Sequence, residues 1–370
     1  LVGSEMCIRD RALWGYQFME TPALEFYDTV GVQSAILDQQ LFKLLDQEGQ
    51  TLVLRPDMTA PIARVAASKL HKDDHPLRVG YAANVFRAQE REGGRAAEFE
   101  QVGVELIGDG STSADAEVIA LVIFSLKKAG LTSFKISIGH VGISDALFVE
   151  VLGNEERAHV LRRYLYEKNY VGYREHVKSL NLSSIDKSRL LELLELRGGI
   201  ETCSKAASII DSEKGKRAVS ELKTLWETLG DYSCTDDIKL DLGMVSHMSY
   251  YTGVLFEIYA ENVGFPIGNG GRYDQLLGRF DSPAPATGFG IRTDRLLEAL
   301  KPAEEQEKID VVIFSTEQRK EAIRFAEEER RKGKKVVIQD LAGIGDIDQM
   351  TKSFQNVTYF IGARKEEKHG

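Results

Sequence analysis

Hydrophobic positions along this chain change period several times, and each change marks a different kind of segment. From about Arg11 to His140, short strand-like runs interleave with runs of helical spacing. In "GYQFMETPALE" (15–25) a helix ends and the chain turns extended, with Pro22 excluding helix. "TLVLRPDMTAPIARVAASKL" (51–70) predicts a strand, a turn at Pro56 and a helix whose start Asp57 or Thr59 is suited to cap. "ADAEVIALVIFSLKKAG" (114–130) has helical periodicity and stops at Gly130, and "FKISIGHV" (134–141) is a strand.

From about Ser144 to Leu229 the chain is rich in Leu, Glu, Lys and Arg and poor in turn signals, which predicts a helical insertion at 144–229 between two parts of a sheet domain. Strands return in "IKLDLGMV", "YYTGVLFEIYAENVG" and "ATGFGIRTDRLLEAL", the last running on into a helix. A charged linker, "KPAEEQEK", precedes a β-α-β pattern and one more strand, "VTYFIGA". That alternation predicts a small α/β domain over 309–370, after a larger α+β domain over 12–300. The run "RRKGKK" lies beside "EEE" and reads as a solvated helix face.

At 370 residues, 43% hydrophobic and 28% charged, the composition is that of a soluble globular protein with room for two or three domains. The 47 Lys and Arg against 57 Asp and Glu give a net charge of -10, which argues against a general nucleic-acid binder. Cys7, Cys203 and Cys234 form no CxxC pair, so neither a disulfide framework nor a zinc ribbon is expected and a cytoplasmic setting follows. No apolar run is long enough to span a membrane, and that in "LVGSEMCIRDR" is too short for a signal peptide. Residues 1–10 do not lead into the helical "RALWGYQFMETP" and are expected to be truncated or foreign sequence.

Four stretches carry candidate chemistry. In "LVLRPDMT", Asp57 and Thr59 can aim a carboxylate and a hydroxyl at a ligand ammonium, or simply cap a helix. In "NVFRAQEREGGRAAEFEQVGVELIG", Arg87 ends a strand and Arg95 sits in a loop. Gln101 and Glu105 there share one strand face, suited either to an amine or imidazole or to a solvent-facing hairpin. In "MVSHMSYYTGVLFEIY", one of Tyr250 and Tyr251 is expected in the core and the other at a pocket, while His247 suits acid–base work or a structural place. The glycines of "IGNGGRYDQLLGRF" allow close backbone approach to a ligand, and Arg295, on the helix after "ATGFGIR", suits stacking on a purine or pairing with phosphate. No phosphate-binding GxxxxGK[ST] loop, catalytic triad or metal-ligand spacing occurs, and no cofactor is expected. "CTDDIKLDLG" has paired acids without the small cradle of a phosphoribosyl diphosphate loop and reads as a strand flank.

Taken in order, these stretches resemble the catalytic core of a class II aminoacyl-tRNA synthetase of the histidyl type over roughly residues 12–300. "GYQFMETPALE" resembles motif 1, "NVFRAQEREGGRAAEFEQVGVELIG" motif 2, "MSYYTGVLFE" the histidine signature and "ATGFGIRTDRLLEAL" motif 3. The resemblance implies an antiparallel sheet flanked by helices. Asp57, Thr59, Arg87, Gln101, Glu105 and Tyr251 match positions that hold histidine in that family, with Tyr250 beside them, while Arg95 and Arg295 match a residual nucleotide pocket.

Gln89, Ala97 and Ser246, in contrast, stand where the synthetases carry groups that serve adenylation. Losing such a group costs several kcal/mol of electrostatic stabilisation, on the order of a thousandfold in rate. A kept amino-acid pocket with lost adenylation groups resembles the regulatory subunits of ATP phosphoribosyltransferase, to which "FRAQEREGGRAAEFEQVGVEL" is very close. That family implies a noncatalytic chain that assembles with a short catalytic ATP phosphoribosyltransferase subunit and responds to L-histidine as feedback inhibitor. It also implies a homodimer through motif 1 within a hetero-oligomer. The C-terminal region is similar to a shortened anticodon-binding domain, which weakens the case for tRNA.

Overall fold

The computed structural model describes residues 13–69, 76–88, 96–245, 250–300 and 309–362, and the chain divides into two compact units after Leu300. Residues 1–10 and the charged linker 301–308 lie outside the described residues.

The first unit begins with β1 (Gln17–Phe18), β2 (Leu24–Phe26), β3 (Lys43–Leu45) and β4 (Thr51–Leu54). Helix α1 (Thr59–Lys69) and two long strands, β5 (Leu77–Phe86) and β6 (Glu98–Ile107), come next, then α2 (Thr112–Lys128) and β7 (Phe134–His140). The helical stretch holds α3 (Val141–Leu152), α4 (Glu155–Tyr166), α5 (Tyr170–Ser179) and α6 (Ser184–Glu192). After the two-residue β8 (Arg197–Gly198) it continues as α7 (Glu201–Ile209) and α8 (Glu213–Asp231). The unit closes with β9 (Ile238–Asp241), β10 (Val254–Ala260), β11 (Gly268–Arg272), β12 (Ala286–Arg292) and α9 (Thr293–Ala299).

Among the described residues the main sheet has nine strands in the order β1-β5-β6-β12-β11-β10-β7-β9-β8. Its pairings are antiparallel except β1 with β5 and β7 with β9. Alternation decides which residues face which layer. Val104 and Leu106 of β6, Phe256 and Ile258 of β10 and Phe289 and Ile291 of β12 join the core beneath α2, α3 and α8. Gln101 and Glu105 therefore point to the opposite face, beside α1.

Local chemistry fixes several boundaries. The Ser111 side chain accepts from the Ala114 N–H at 3.3 Å and starts α2, and Gly130 at φ +91° ends the turn that follows it. Asn154 and Ser212 cap α4 and α8 in the same way. The "IGNGGRY" stretch forms strand β11, between β10 and β12; its alternating small residues carry too little hydrophobic signal to mark a strand from pattern alone.

A second, three-stranded antiparallel sheet, β2-β4-β3, has an inverted pattern. Glu25 is 5% exposed and paired with Arg64 at 3.0 Å, whereas its neighbours Leu24 and Phe26 are 48% and 49% exposed.

In the second unit β13 (Asp310–Phe314) lies between β14 (Val336–Asp340) and β15 (Val357–Phe360), all parallel, with α10 (Arg319–Arg331) packed on it. Within "EEERRKGKK", Glu329 pairs with Lys332 at 2.7 Å and with Lys334, as suits a solvated helix end.

One buried ion pair ties the main sheet to α2: Arg272 Nε lies 3.0 Å from Asp115 Oδ2, and the same guanidinium donates to the carbonyls of Asp109 and Ser111. Removing one partner strands the other in a dry environment. Arg272→Met is expected to destabilise the first unit by about 3–5 kcal/mol. Urea unfolding followed by tryptophan fluorescence reads this unit, since Trp14 and Trp226 both belong to it.

Candidate functional site

Segments far apart in sequence converge on a tight cavity of about 20 Å³. Its walls are Asp57, Thr59, Gln101, Glu105, Tyr250, Tyr251, Asn269 and Tyr273, over a floor of Gly288, Phe289 and Gly290. Asp57 arrives at the head of α1, where Oδ1 accepts the Ala60 N–H and Oδ2 the Ser34 hydroxyl, each at 3.1 Å. It caps the helix and lines the cavity at once. Gln101 and Glu105 come from an inner strand, β6, paired on both sides by β5 and β12, so they do not lie on a solvent-facing hairpin.

The floor works because Gly288 and Gly290 have no side chains and that of Phe289 packs into the core on the other face of the sheet. A methyl group on Gly288 would lie 1.8 Å from Glu105 Oε2, and one on Gly290 would lie 2.0 Å from Gln101 Nε2. The glycines leave room for those two side chains to lie across the sheet. Asn269 and Tyr273 were not singled out in the sequence. Their signal is the alternation Asn269, Gly271, Tyr273, visible once "IGNGGRY" is taken as a strand.

Both tyrosines of the "SYYTG" stretch line the cavity, and Tyr250 is also packed into the apolar core on this side of the sheet, as expected of one of the two. The Tyr250 ring meets Tyr251 edge-on at 5.1 Å and Tyr273 at 5.7 Å. Arg87 stands behind the wall, its Nε donating to the Pro56 carbonyl at 2.7 Å and its guanidinium 5.5 Å from the Phe99 ring centre. Arg292 lies over the same ring at 3.6 Å and is held by Asp294 at 2.6 Å. Arg295 donates to the Pro266 carbonyl and lies 5.5 Å over Phe265, so it is not brought to the cavity. Ala97 is exposed and its carbonyl accepts the Arg87 N–H at 2.8 Å. Gln89, Arg95, Ser246 and His247 lie outside the described residues.

The electrostatics are lopsided. Asp57 and Glu105 are 2% and 1% exposed, yet no lysine or arginine is among the described residues that line the cavity. Glu105 is stabilised by hydroxyls: Thr59 donates to Oε1 at 2.8 Å and Tyr273 to Oε2 at 2.5 Å. Burial pushes its carboxyl up to about 8. Burial likewise raises Asp57, against the opposing pull of the Arg87 charge and hydrogen bonds that include those of Ala60 and Ser34. Gln101 Oε1 is buried without a partner. Two dry carboxylates, an orphaned acceptor and a set of aromatic faces suit a small ligand rich in N–H donors and positive charge. They do not suit a polyphosphate. Among the described residues no group of three or more His, Cys, Asp or Glu is placed to hold a metal ion.

The whole chain has close counterparts. A profile for histidyl-tRNA synthetase matches residues 9–296, and one described as the C-terminal domain of the histidyl-tRNA synthetase HisZ matches residues 311–362. The chain is similar to the ATP phosphoribosyltransferase regulatory subunit of Bacillus licheniformis, 98% identical across 97% of this chain and 92% of that protein. The protein of the same name from Bacillus subtilis is 78% identical, across 96% of this chain and 91% of that one. A crystal structure described as an ATP phosphoribosyltransferase regulatory subunit/histidyl-tRNA synthetase from Bacillus halodurans superposes with TM-score 0.90 at 57% identity, covering 98% of this chain and 93% of that one. Histidyl-tRNA synthetase from Nostoc, at 19% identity and TM-score 0.78, covers 95% of this chain and 84% of its own and shares the fold.

The raised Glu105 carboxyl makes the empty cavity pH-sensitive. A carboxyl with its folded value above the ordinary 4.5 contributes stability that is fully present below 4.5 and is lost as pH rises through about 8. Glu105→Gln, which mimics the protonated acid, removes that loss. Urea midpoints of the two proteins measured from pH 5 to 9 are expected to diverge in favour of Glu105→Gln as pH rises.

Proposed function

The chain belongs to the ATP phosphoribosyltransferase regulatory subunits, a family built on the histidyl-tRNA synthetase fold, and on that premise we propose that its buried acidic cavity binds free L-histidine and relays feedback inhibition to a catalytic partner. As a regulatory subunit it serves histidine biosynthesis through that partner and is not itself the transferase. The observation that carries the histidine reading is that Asp57 and Glu105 share a cavity with no lysine or arginine among its described lining residues.

In this reading Asp57 and Glu105 meet the cationic α-ammonium and imidazole of the ligand, while Gln101 and Tyr251 hydrogen-bond to it. Arg87, close enough to Asp57 for their charges to interact, faces the ligand carboxylate. Tyr250 and Tyr273 enclose the ring. A histidine signal reaches the partner only if the two states of the assembly hold the ligand with different affinity. The partner is a short-form catalytic subunit, and the assembly works in the cytoplasm.

The exposed face of the β2-β4-β3 sheet supports a homodimer within that assembly. Leu24 and Phe26 pair across to Leu54 and Leu52, and Leu44 pairs to Leu52 from the other side, so these five apolar side chains share one face. A sheet that buries a glutamate and shows leucines to solvent is completed by an apolar partner, and a second copy offers the same surface.

Calorimetry on the isolated chain tests the ligand. Histidine is expected to bind saturably, and Glu105→Ala to weaken it by about tenfold or more, since the ligand cation loses a buried counter-charge. Because empty Glu105 is largely protonated at pH 7, binding is expected to release a proton, seen as a binding enthalpy that varies with the ionisation enthalpy of the buffer. In the assembled complex Glu105→Ala should retain activation of the catalytic subunit and lose inhibition by histidine. Histidine-dependent ATP–pyrophosphate exchange by this chain alone would overturn the reading.

For the homodimer, Phe26→Asp is expected to turn the isolated chain monomeric in sedimentation analysis while leaving its circular dichroism unchanged.

A further inference from the structure

The same sheet face carries a second cavity, of about 250 Å³ and open to solvent, that the histidine reading does not use. The two are neighbours: Glu257 of β10, which lines the second, pairs directly across from Asn269 of β11, which lines the first and donates to Tyr251 at 3.3 Å.

The chemistry of the second cavity is different. Arg197 reaches in from β8, its Nε 3.1 Å from Asp241 Oδ2. Lys168 reaches in from the junction of α4 and α5, donating to the Tyr259 hydroxyl at 2.9 Å and lying 3.6 Å from Glu257. Its backbone is held at φ +54°, a conformation that lysine adopts only at a cost, so the surrounding packing imposes the placement of this cation. These two pairs neutralise one another. Lys239 is left over: it lines the cavity, is exposed, and has no ion-pair partner among the described residues. Two residues further along β9, on the same strand face, Asp241 Oδ1 is buried and has no hydrogen-bond partner among the described residues.

A surplus ammonium and an orphaned carboxylate oxygen ask for opposite things of a ligand. The first takes an anion, the second a hydroxyl or N–H donor. A bare anion leaves Asp241 Oδ1 unsatisfied, and a neutral polyol leaves Lys239 uncompensated. A phosphorylated sugar offers both on one small scaffold. We propose that this cavity is a second effector site, which takes a small sugar phosphate with its phosphate on Lys239 and a hydroxyl on Asp241 Oδ1. The site is independent of whether the first cavity holds histidine. Occupancy bears on β10, and through Asn269 on the wall of the first cavity.

Titration calorimetry of the full chain with ribose 5-phosphate tests this. Saturable binding is expected, with inorganic phosphate and free ribose each weaker by about tenfold or more, since each meets only one of the two demands. Lys239→Ala and Asp241→Asn are each expected to weaken ribose 5-phosphate by about tenfold. Lys239 is exposed, so its variant should keep the urea midpoint of the parent, which separates lost binding from lost folding. Absence of saturable binding would overturn the proposal. So would binding indifferent to Lys239→Ala at an unchanged midpoint, or inorganic phosphate binding as tightly as the ester.

Discussion

Placing two carboxylates in a water-poor cavity with no lysine or arginine among its described lining residues is the constraint around which the first unit is arranged. A buried ionised acid is costly unless hydrogen bonds or counter-charge offset it. Here the offset on Glu105 comes from the hydroxyls of Thr59 and Tyr273, and that on Asp57 from the Ala60 N–H, the nearby Arg87 charge and the Ser34 hydroxyl. Hydroxyls can turn to donate or accept, so the cavity tolerates Glu105 in either protonation state. What it lacks is positive charge of its own, and that deficit defines the complementary ligand.

The sheet makes this possible by giving its two faces different work. Val104 and Leu106 of β6 anchor the core under α2 and α8, while Gln101 and Glu105 look onto Gly290 and Gly288 of β12. Rigid strands hold Gln101 and Glu105 at fixed height, and the glycines opposite let both lie flat. A scaffold of this kind suits a small cationic molecule in shape and charge.

Most of this architecture is legible in the chain because its long elements carry strong periods. The apolar spacing of α2, the alternation of β10 and the strand-to-helix run of β12 and α9 each announce themselves. The helical stretch from α3 to α8 shows in composition as well as in period. Asp57, Thr59, Gln101 and Glu105 are readable because a strand face and a helix start constrain where their side chains go. What escapes is governed by partners distant in sequence. Strand β11 is hidden because glycine has no hydrophobic signal, and with it go Asn269 and Tyr273. The placing of Tyr250 and Tyr251 depends on Tyr273, which no local pattern couples to them. Arg295 has the right motif, but the structure spends its guanidinium on Pro266 and Phe265.

The small sheet that hides Glu25 and displays Leu24 and Phe26 has a consequence for how the chain lives at low abundance. A partner that covers those leucines would bind the folded form only, so mass action would tie the folded population to the supply of that cover. On dilution the bare strands become the first place for unwanted β-pairing, and for proteases to find an opening. Orphan copies made in excess of their companions would thus be the short-lived ones, a form of dosage control written into three short strands.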